Sequence, residues 1–429
     1  IHPKLLGGDY DPRLLLEGKM DDADPERWVS GFFDRNSWVE CLAGWAKTVI
    51  TGRARLGKVP MGVVISEIRT VEARSPADPA APDSQERVWN QAGQVWFPDS
   101  AFKTAQAIND FNREELPLII FANWRGFSGG QRDMFDQVLK FGANIVDALV
   151  AYKQPVFVYL PPFAELRGGA WVVVDPTINP DQMEMYADTD ARGGVLEAPG
   201  CVSVKYRAKD VVATAHRVDA KLQELDAQLK GASGEEAAKL KAAIAKREKL
   251  LHPVFHQIAV HFADLHDRPG RMMAKGVIRS VVPWAESRRF FYTRLRRRLA
   301  QREVCRQIAG ISAIHTAEKP EAPLAILEQI FNASSRLAWD SDRDVLGWLD
   351  SAEGQHAIKI NLQALRATAI SKQVVALGQQ DSKAILSGLM GLIGNLQETG
   401  RHEERESLVQ VLRKGVFLLS STDASGASH

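Results

Sequence analysis

The fold depends on one stretch, Phe121-Ala122-Asn123-Trp124-Arg125-Gly126-Phe127-Ser128-Gly129-Gly130, which lies between an apolar run at 116–120 and a helix-like segment at 131–152. This order predicts a strand, a glycine-rich turn and a helix. The first turn of a helix has backbone N–H groups without intrahelical acceptors, so such a turn can hold an anion. Composition alone explains the stretch equally well as a tight turn that packs a helix on a sheet.

A second glycine pair follows the next predicted strand. The apolar run 156–160 is followed by Glu165-Leu166-Arg167-Gly168-Gly169, and the apolar run 170–174 predicts a further strand. Two consecutive strand ends therefore contain glycine pairs, and Arg167 places a fixed cation beside one of them. Backbone N–H donors and a cation suit a thioester or ureido oxygen together with a carboxylate.

Four motifs connect the chain to a known family. They are Gln94-Val95-Trp96-Phe97-Pro98-Asp99-Ser100, the stretch 123–130, the stretch 165–169 and Glu184-Met185-Tyr186-Ala187-Asp188. Together they resemble the carboxyltransferase component of eukaryotic multidomain acetyl-CoA carboxylase, over about residues 31 to 299. The resemblance implies an α/β fold, a crotonase-like ββα superhelix with an inserted helical hairpin and a helical C-terminal tail. One departure is Gly57-Lys58, where the family pattern leads us to expect Gly-Gly.

The resemblance also implies a reaction, the transfer of a carboxyl group from carboxybiotin to acetyl-CoA to give malonyl-CoA, the first step of fatty acid synthesis. Biotin would be attached to a separate carrier domain, and ATP would be used only by another domain. The chain resembles the C-terminal of two carboxyltransferase subdomains. We therefore expect the N-terminal subdomain, the biotin carrier domain and a homodimer as partners, a cytoplasmic location with the plastid as alternative, and no activity from this piece alone.

In the family, two oxyanion holes stabilise the charge that develops on the ureido and thioester oxygens. The resemblance assigns the N–H groups around Phe127, Gly129 and Gly130 to the ureido oxygen and Arg167 to a carboxylate. It implies substrate contacts from Trp96, Trp124, Ser128, Gly168 and Gly169. Without the resemblance, Trp96 is better explained as a half-buried aromatic residue. We expect Trp96, Trp124, Phe127 and Trp171 to form an apolar patch that a partner covers, and Arg167→Ala to leave folding nearly intact.

The composition excludes several other classes of protein. The 54 Lys and Arg residues against 53 Asp and Glu residues leave a net charge of +1, which gives no general attraction to nucleic acid or a membrane. No apolar run reaches the roughly 20 residues of a membrane span. Ile1-His2-Pro3-Lys4 has no signal-peptide pattern, and the missing initiator Met suggests a piece of a longer protein.

Cysteine and histidine usage does not favour a metal site. Cys41, Cys201 and Cys305 are too few and too scattered for a disulfide framework or a zinc site, so we expect buried free thiols. His252, His256, His261 and His266 recur at spacings of four or five, but a charged helix end explains them better than a metal. The arginine-rich segment 288–298 indicates an intramolecular or dimer-facing surface rather than an RNA-binding arm.

The chain order predicts five segments. They are an entry segment at 1–30, the α/β core at 31–205, a helical hairpin insertion at 206–256, helices closing the core at 257–305, and a helical C-terminal region at 306–429 with a disordered tail. Within them, apolar spacing predicts a helix at 37–50, and His252-Pro253 is expected to end the hairpin.

Two alternatives remain open. A crotonase-like hydratase or isomerase would need a pair of carboxylates at the cleft, and Glu165 is the only candidate base close to the glycine pairs. A scaffold piece whose helical tail binds other domains would need no catalytic group. The sequence contains neither a Met-Lys-Met biotin attachment site nor a phosphate loop of the Gly-x-x-x-x-Gly-Lys-Ser/Thr type.

Overall fold

The computed structural model describes residues 10–314 and 322–423, with side chains up to residue 414. The chain divides into two compact units, Ile1–Leu295 and Arg296–His429. The strands of the first unit are β1 (Gly18–Met20), β2 (Trp28–Ser30), β3 (Val39–Cys41), β4 (Val49–Leu56), β5 (Val59–Ser66), β6 (Val71–Ser75), β7 (Arg87–Gln91), β8 (Val95–Trp96), β9 (Leu118–Phe121), β10 (Gly126–Phe127), β11 (Val156–Leu160), β12 (Glu165–Arg167), β13 (Met183–Ala187), β14 (Arg192–Gly194) and β15 (Ser280–Val281).

Helices occur throughout both units. They are α1 (Arg13–Glu17), α2 (Pro98–Arg113), α3 (Gln131–Phe135), α4 (Val138–Val150), α5 (Gly168–Val172), α6 (Ala198–Lys205), α7 (Ala208–Val218), α8 (Ala220–Gly231), α9 (Gly234–Asp264), α10 (Pro269–Ala274), α11 (Trp284–Ser312), α12 (Pro323–Ser334), α13 (Asp342–Asp350), α14 (Ala352–Gln380), α15 (Ser382–Glu398) and α16 (His402–Asp423). No helix of the described residues is long and apolar enough to cross a membrane.

Four successive ββα repeats build the first unit. They are β5-β8-α2, β9-β10-α4, β11-β12-α5 and β13-β14-α6. The first strand of each repeat joins the seven-stranded main sheet, ordered β15-β13-β11-β9-β5-β4-β3, whereas the second strand pairs outside it, β8 with β10 and β12 with β14. Every residue of β9, β11 and β13 is buried, as expected for central parallel strands between two layers. The predicted α/β class and ββα superhelix are confirmed.

The start of α11 closes the main sheet with residues distant in sequence. Its Phe291 packs edge-on against Tyr159 of β11, with 5.1 Å between ring centroids. Arg294 Nε donates to Glu184 Oε2 at 2.8 Å, and both side chains are buried. Arg288 Nε donates to the Phe32 carbonyl at 2.8 Å, across 256 residues of sequence. The arginine-rich segment 288–298 therefore makes contacts within the chain. This is the first of the two surfaces predicted for it, intramolecular or dimer-facing.

Three local predictions of secondary structure are wrong. The predicted helix at 37–50 is β3 and the beginning of β4, because Leu42 and Ala46 have positive φ angles of 58° and 48°, which a helix does not allow. The predicted helix at 131–152 is divided into α3 and α4 at Gln137, whose φ is 64°. The predicted strand at 170–174 is α5 and its end, because the burial of Ala170 and exposure of Val172 follow a helical period.

The predicted ends of the first unit also differ. The entry segment contains α1, β1 and β2, and its Leu15 and Leu16 are buried, so residues 10–30 belong to the folded core. Residues 1–9 lie outside the described residues. The three cysteines are free as expected but partly exposed rather than buried.

The inserted helices differ from a simple hairpin that ends at Pro253. Helices α7 and α8 precede α9, which continues through Pro253 to Asp264. Leu251 and Phe255, on either side of this proline, pack against the buried cluster of α7, α8 and α9. This packing offsets the hydrogen bond that an interior proline removes. The helical insertion is therefore observed, but its last helix is longer than predicted.

A histidine clasp joins the three inserted helices. His216 of α7 lies 2.6 Å from Asp226 Oδ2 of α8 through Nδ1 and 2.8 Å from Glu248 Oε1 of α9 through Nε2. The hydrogen bonds to Asp226 and then Glu248 raise the pKa of His216 above its ordinary value of 6.5. A second ion pair, Arg247 to Asp219 at 2.8 Å, connects α9 to the start of α8.

We expect the insertion to lose stability as the pH rises above the ordinary histidine pKa. A group whose pKa is raised in the folded state stabilises that state fully below its unfolded pKa, and this stabilisation is lost as pH rises through the folded pKa. Thermal melting between about pH 6 and pH 8.5 measures the loss, and His216→Gln should abolish it. His261→Gln, on the exposed side of α9, is the matched control. An unchanged pH dependence in His216→Gln would contradict the prediction.

The second unit has its own hydrophobic core. Leu327, Phe331, Val345, Trp348 and Leu349 are buried together, between α12, α13 and α14. Arg297 Nη1 donates to Asp342 Oδ1 at 2.8 Å beside this core. The predicted helical C-terminal region is confirmed, and α16 extends to Asp423, into the stretch predicted as a disordered tail. Residues 424–429 of that tail lie outside the described residues.

Candidate functional site

Asn123 ties together three connections that follow strands of the main sheet. Its Oδ1 accepts hydrogen bonds from Gln94 Nε2 at 2.6 Å and from the Glu165 backbone N–H at 3.0 Å. Gln94 precedes β8, Asn123 precedes β10 and Glu165 begins β12. Because parallel strands end at the same edge of a sheet, the two predicted glycine turns come together at this edge. The sequence-predicted site residues therefore share one region of the fold.

Three aromatic rings are stacked beneath the first glycine turn. Trp124 stacks on Trp96 with 4.1 Å between centroids, and Trp96 stacks on Phe127 at 5.2 Å. Both tryptophans are 0 % exposed, so in this conformation they support Phe127 and do not line a cleft. The expected apolar patch of Trp96, Trp124, Phe127 and Trp171 is therefore wrong. Phe127 and Trp171 are only partly exposed.

Phe127 fits between two glycines. A Cβ atom added to Gly142 of α4 would lie 2.7 Å from Phe127 Cε1, and one added to Gly169 would lie 3.5 Å from Phe127 Cδ2. The ring thus connects the first glycine turn to the second glycine pair. A side chain at position 142 would have to displace the Phe127 ring, whereas a Cβ atom at position 169 would make an ordinary van der Waals contact with that ring.

We expect Gly142→Ala to lower the melting temperature, opposite to the usual effect of this change in a helix. Alanine favours a helix by about 1 kcal/mol over glycine, but the new methyl group meets the Phe127 ring, and overpacking costs about 1–3 kcal/mol. Gly378→Ala on α14, where a Cβ contacts nothing within 4 Å, should be stabilising. Thermal melting of both variants provides the test. A melting temperature raised equally by both changes would contradict the tight packing of Phe127 against Gly142.

Hydrogen bonds shape the turn 128–130 and leave one donor open. The Ser128 N–H donates to the Trp96 carbonyl at 2.8 Å, and Ser128 Oγ donates to Asp133 Oδ2. The Gly130 N–H donates to Ser128 Oγ at 3.3 Å. Within this turn, the exposed Gly129 N–H is the donor with no acceptor among the described residues. The turn therefore presents one main-chain donor to solvent.

Arg167 is buried and is bound by the protein through its Nε and Nη1 atoms. Its Nη1 donates to Asp267 Oδ2 at 2.6 Å and to the Leu196 carbonyl at 3.1 Å, and its Nε donates to Glu165 Oε2 at 3.2 Å. The Arg167 side chain is 5 % exposed. Burial raises the pKa of Asp267, although Arg167 opposes the shift. A carboxylate reaching Arg167 would have to share it with two resident carboxylates.

A different arginine in the first turn is accessible. Arg125 is half-exposed and pairs with Glu197 at 3.4 Å, a distance typical of a weak surface ion pair. The sequence analysis assigned no role to Arg125, because the glycines of the stretch 121–130 were taken as its binding groups. The presence of an arginine within that stretch could have identified it.

A third glycine pair, also missed, lies at the end of β14. Gly193 and Gly194 follow β13 just as the two predicted pairs follow β9 and β11. The Gly193 N–H donates to the Asp267 carbonyl at 3.0 Å, and a Cβ on Gly194 would lie 2.8 Å from Asp267 Oδ1. The repeated position after a buried strand would have identified it.

A cavity of 730 Å³ opens beside the second and third glycine pairs. Gly168, Gly193 and Gly194 form part of its wall, and Trp171, Val172 and Val195 make most of the remainder apolar. Lys205, His266, Arg271 and Lys275 also line it. Among the described residues, no group of three or more His, Cys, Asp or Glu side chains is placed to hold a metal ion. The site therefore combines apolar walls, backbone and cations.

The carboxyl transferase domain family matches residues 1–299, and the chain belongs to this family. Over 94 % of its length it is 48 % identical, across 406 residues, to the acetyl-CoA carboxylase of Schizosaccharomyces pombe. Over 95 % it is 47 % identical, across 420 residues, to that of Dictyostelium discoideum. The chain spans 18 % of the length of each relative. The predicted relation to this family is confirmed.

Two solved structures are also similar. A transcarboxylase 12S structure with methylmalonyl-coenzyme A bound is 17 % identical, with a TM-score of 0.41, covering 61 % of this chain and 39 % of the other. The β subunit of P. aeruginosa geranyl-CoA carboxylase is 13 % identical, with a TM-score of 0.42, covering 66 % of this chain and 40 % of the other.

Proposed function

We propose that this chain is the C-terminal half of a biotin-dependent carboxyltransferase that moves a carboxyl group from carboxybiotin to acetyl-CoA and forms malonyl-CoA. The observation that carries the proposal is the meeting of the two predicted glycine turns at one sheet edge, where the N–H of the exposed residue Gly129 has no acceptor among the described residues. Similarity to acetyl-CoA carboxylases over almost the whole chain supports the choice of substrate.

The exposed turn suits the ureido ring of biotin. An added Cβ on Gly129 contacts nothing within 4 Å, so a flat ring can approach the main chain there. Phe127 provides an apolar wall beside it. In this proposal the Gly129 N–H binds the ureido oxygen, the N–H groups of Phe127 and Gly130 shape the same turn, and Ser128 fixes it through Asp133.

The reaction needs little from side chains as acids or bases. When bound, carboxybiotin supplies the carboxyl group and a nitrogen that can take a proton. The C–N bond to the carboxyl carbon breaks, a C–C bond forms from the acetyl methyl carbon to that carbon, and the methyl proton ends on the biotin nitrogen. The chain's contribution is to orient both substrates and to stabilise charge on the ureido oxygen with fixed N–H donors.

Two arginines suit the carboxyl group in different ways. Arg167, with Gly168 and Gly169 at the adjoining turn, stays the predicted carboxylate ligand, but its pairing with Asp267 and Glu165 favours a role in holding the wall. Arg125 is accessible and paired weakly, so it is better placed to meet a charged substrate. We assign the transferred carboxylate to Arg125 first and to Arg167 second.

The proposed partners are other domains of a longer enzyme, since the chain spans only 18 % of the length of its relatives. The N-terminal carboxyltransferase subdomain would complete the site with most CoA contacts, a biotin carrier domain would deliver the cofactor, another domain would use ATP, and the whole enzyme would be a homodimer. The cytoplasm is the proposed compartment, with the plastid as alternative. The five-segment division of the chain stays a prediction.

The hydratase or isomerase alternative is not favoured. Glu165 Oε2 accepts a hydrogen bond from Arg167 Nε at 3.2 Å, and the other carboxylate nearby, Asp267, is held by the same arginine. Such pairing stabilises both carboxylates without leaving either directed at a substrate. The scaffold alternative is not favoured either, because a scaffold needs no exposed main-chain donor such as the Gly129 N–H.

We expect the 429-residue chain alone to show no carboxyl transfer and the addition of the missing N-terminal half, on the same polypeptide or in trans, to restore it. Biotin-dependent decarboxylation of malonyl-CoA measures the reaction in reverse. A crotonyl-CoA hydration assay on the same samples tests the alternative. Turnover by the chain alone at the rate of the complete enzyme, or hydration without transfer, would overturn the proposal.

A further inference from the structure

Helix α9 has apolar residues on two adjacent faces, about 100° apart. One face packs inside the protein, where Ile244, Leu251 and Phe255 join the cluster with α7 and α8, and Ala259 and Ala263 pack near α6. The adjacent face is exposed. Its apolar side chains, 42–65 % exposed, are Leu250, Val254, Ile258, Phe262 and Leu265, which we call the α9 stripe.

The α9 stripe has the geometry of a helix-binding surface. Its members follow at intervals of four, four, four and three residues, so they lie along one side of the helix over about 22 Å. Helices that are apolar on all sides are normally buried, whereas a surface helix has one polar face. A continuous exposed row of large apolar residues indicates an interaction site.

A groove extends the α9 stripe at its first residue. The groove, of 530 Å³, lies between α8 and α9 and is lined by Leu225, Ala243 and Leu250. Leu250 belongs to both surfaces. A flat surface does not fill such a groove, whereas an apolar side chain of a protein segment does.

The unpaired charges that line the groove are positive. Lys246 and Lys249 line the groove and have no ion pair within the described part of the chain, while Lys221 pairs with Glu224 and Arg247 with Asp219. From Lys249 to Ala263 the sequence contains no Asp or Glu. A partner with acidic flanks would therefore meet unpaired cations, and a basic partner would be repelled.

We propose that the α9 stripe and its groove bind an amphipathic helical segment of another protein or domain, with apolar anchors at helical spacing and an acidic flank that meets Lys246 and Lys249. The alternative of a membrane surface is less suitable, because interfacial helices have cations along their length and these lie at one end. The segment would lay its anchors along the stripe and place one in the groove.

The test uses the full chain and a labelled synthetic peptide of about 18 residues, with leucine at helical spacing and glutamate on both flanks. Fluorescence anisotropy should show binding at least tenfold tighter than for the same peptide with lysine in place of glutamate. Ile258→Glu with Phe262→Glu should weaken binding at least tenfold. Val88→Glu, an exposed apolar residue on β7, is the matched control and should have no effect.

A charge exchange makes the test independent of folding defects. Lys246→Glu with Lys249→Glu should weaken binding of the glutamate peptide and strengthen binding of the lysine peptide, a reversal that misfolding cannot produce. Lys153→Glu is the control. Equal binding of both peptides by the unmodified chain would overturn the proposal. So would binding to phosphatidylserine vesicles without peptide binding, or sedimentation as a dimer that Ile258→Glu dissociates, since these outcomes assign the stripe to a membrane or a second copy.

Discussion

Gly129→Val in the complete enzyme should lower the rate of carboxyl transfer by about 10²–10³-fold without lowering the melting temperature. A Cβ added at Gly129 contacts nothing within 4 Å inside the chain, so we expect the fold to accept the substitution. The new side chain occupies the space through which a ureido ring would reach the Gly129 N–H. Loss of one such donor costs about 3 kcal/mol of transition-state stabilisation. The kcat with a biotin substrate and thermal melting are the two measurements.

The matched control is Gly44→Val. Gly44 is also exposed, and a Cβ there also contacts nothing within 4 Å, but it lies in a different turn. Its rate should remain that of the unmodified enzyme. CoA affinity should change little in either variant, because the proposal places most CoA contacts on the other half. A normal rate in Gly129→Val, or equal losses of rate and stability in both variants, would favour a simple packing turn.

Arg167→Ala should decrease the free energy of unfolding of the first unit by about 3–5 kcal/mol, the cost of removing one partner of a buried ion pair. The change leaves Asp267 and the Leu196 carbonyl without their donor. This expectation replaces the one drawn from sequence alone, that folding would stay nearly intact. In the sequence alone, Arg167 has no visible anionic partner and is therefore expected to bind a substrate. In the structure, Asp267, which follows α9, accepts a hydrogen bond from it. Urea unfolding provides the measurement.

Arg125→Ala separates the two arginines. Because Arg125 is half-exposed and its pair with Glu197 is weak, the change should cost only about 0–1 kcal/mol. Its effect should fall on carboxyl transfer instead. Replacing Arg167 and Asp267 together by leucine should recover part of the lost stability, since both charges are then removed. A small loss of stability in Arg167→Ala would contradict a stabilising role for the buried pair of Arg167 and Asp267.

The sequence was sufficient for the class of fold and the place of the site. Continuous apolar runs at 116–120 and 156–160 predict buried strands, and the glycine pair after each run predicts the sheet edge at which the candidate site lies. Apolar spacing failed at 37–50, where Leu42 and Ala46 adopt positive φ angles, because hydrophobic periodicity does not record backbone conformation. The prediction that Pro253 ends a helix was wrong, because Leu251 and Phe255 pack against α7 and α8, and the local sequence does not show these contacts.

The details of the site depended on contacts that no local pattern contains. Asp267 lies 100 residues from Arg167, so the buried pair was invisible in the motif Glu165-Leu166-Arg167. Burial of the Trp96 and Trp124 rings likewise follows from the pairing of β8 with β10. The aromatic residues of the motifs were correctly grouped, but which of them faces solvent is set by the sheet.

The closing contacts of α11 also govern when the first unit can fold during synthesis. Arg288 donates to the Phe32 carbonyl and Arg294 donates to Glu184. These contacts cannot form until the final residues of the 295-residue unit have been synthesised. At about 5–20 residues per second, translation of such a length takes roughly 15 to 60 s. Throughout that interval Tyr159 of β11 and Tyr186 of β13 lack their contacts with Phe291. We expect such a nascent chain to be prone to aggregation until α11 has left the ribosome.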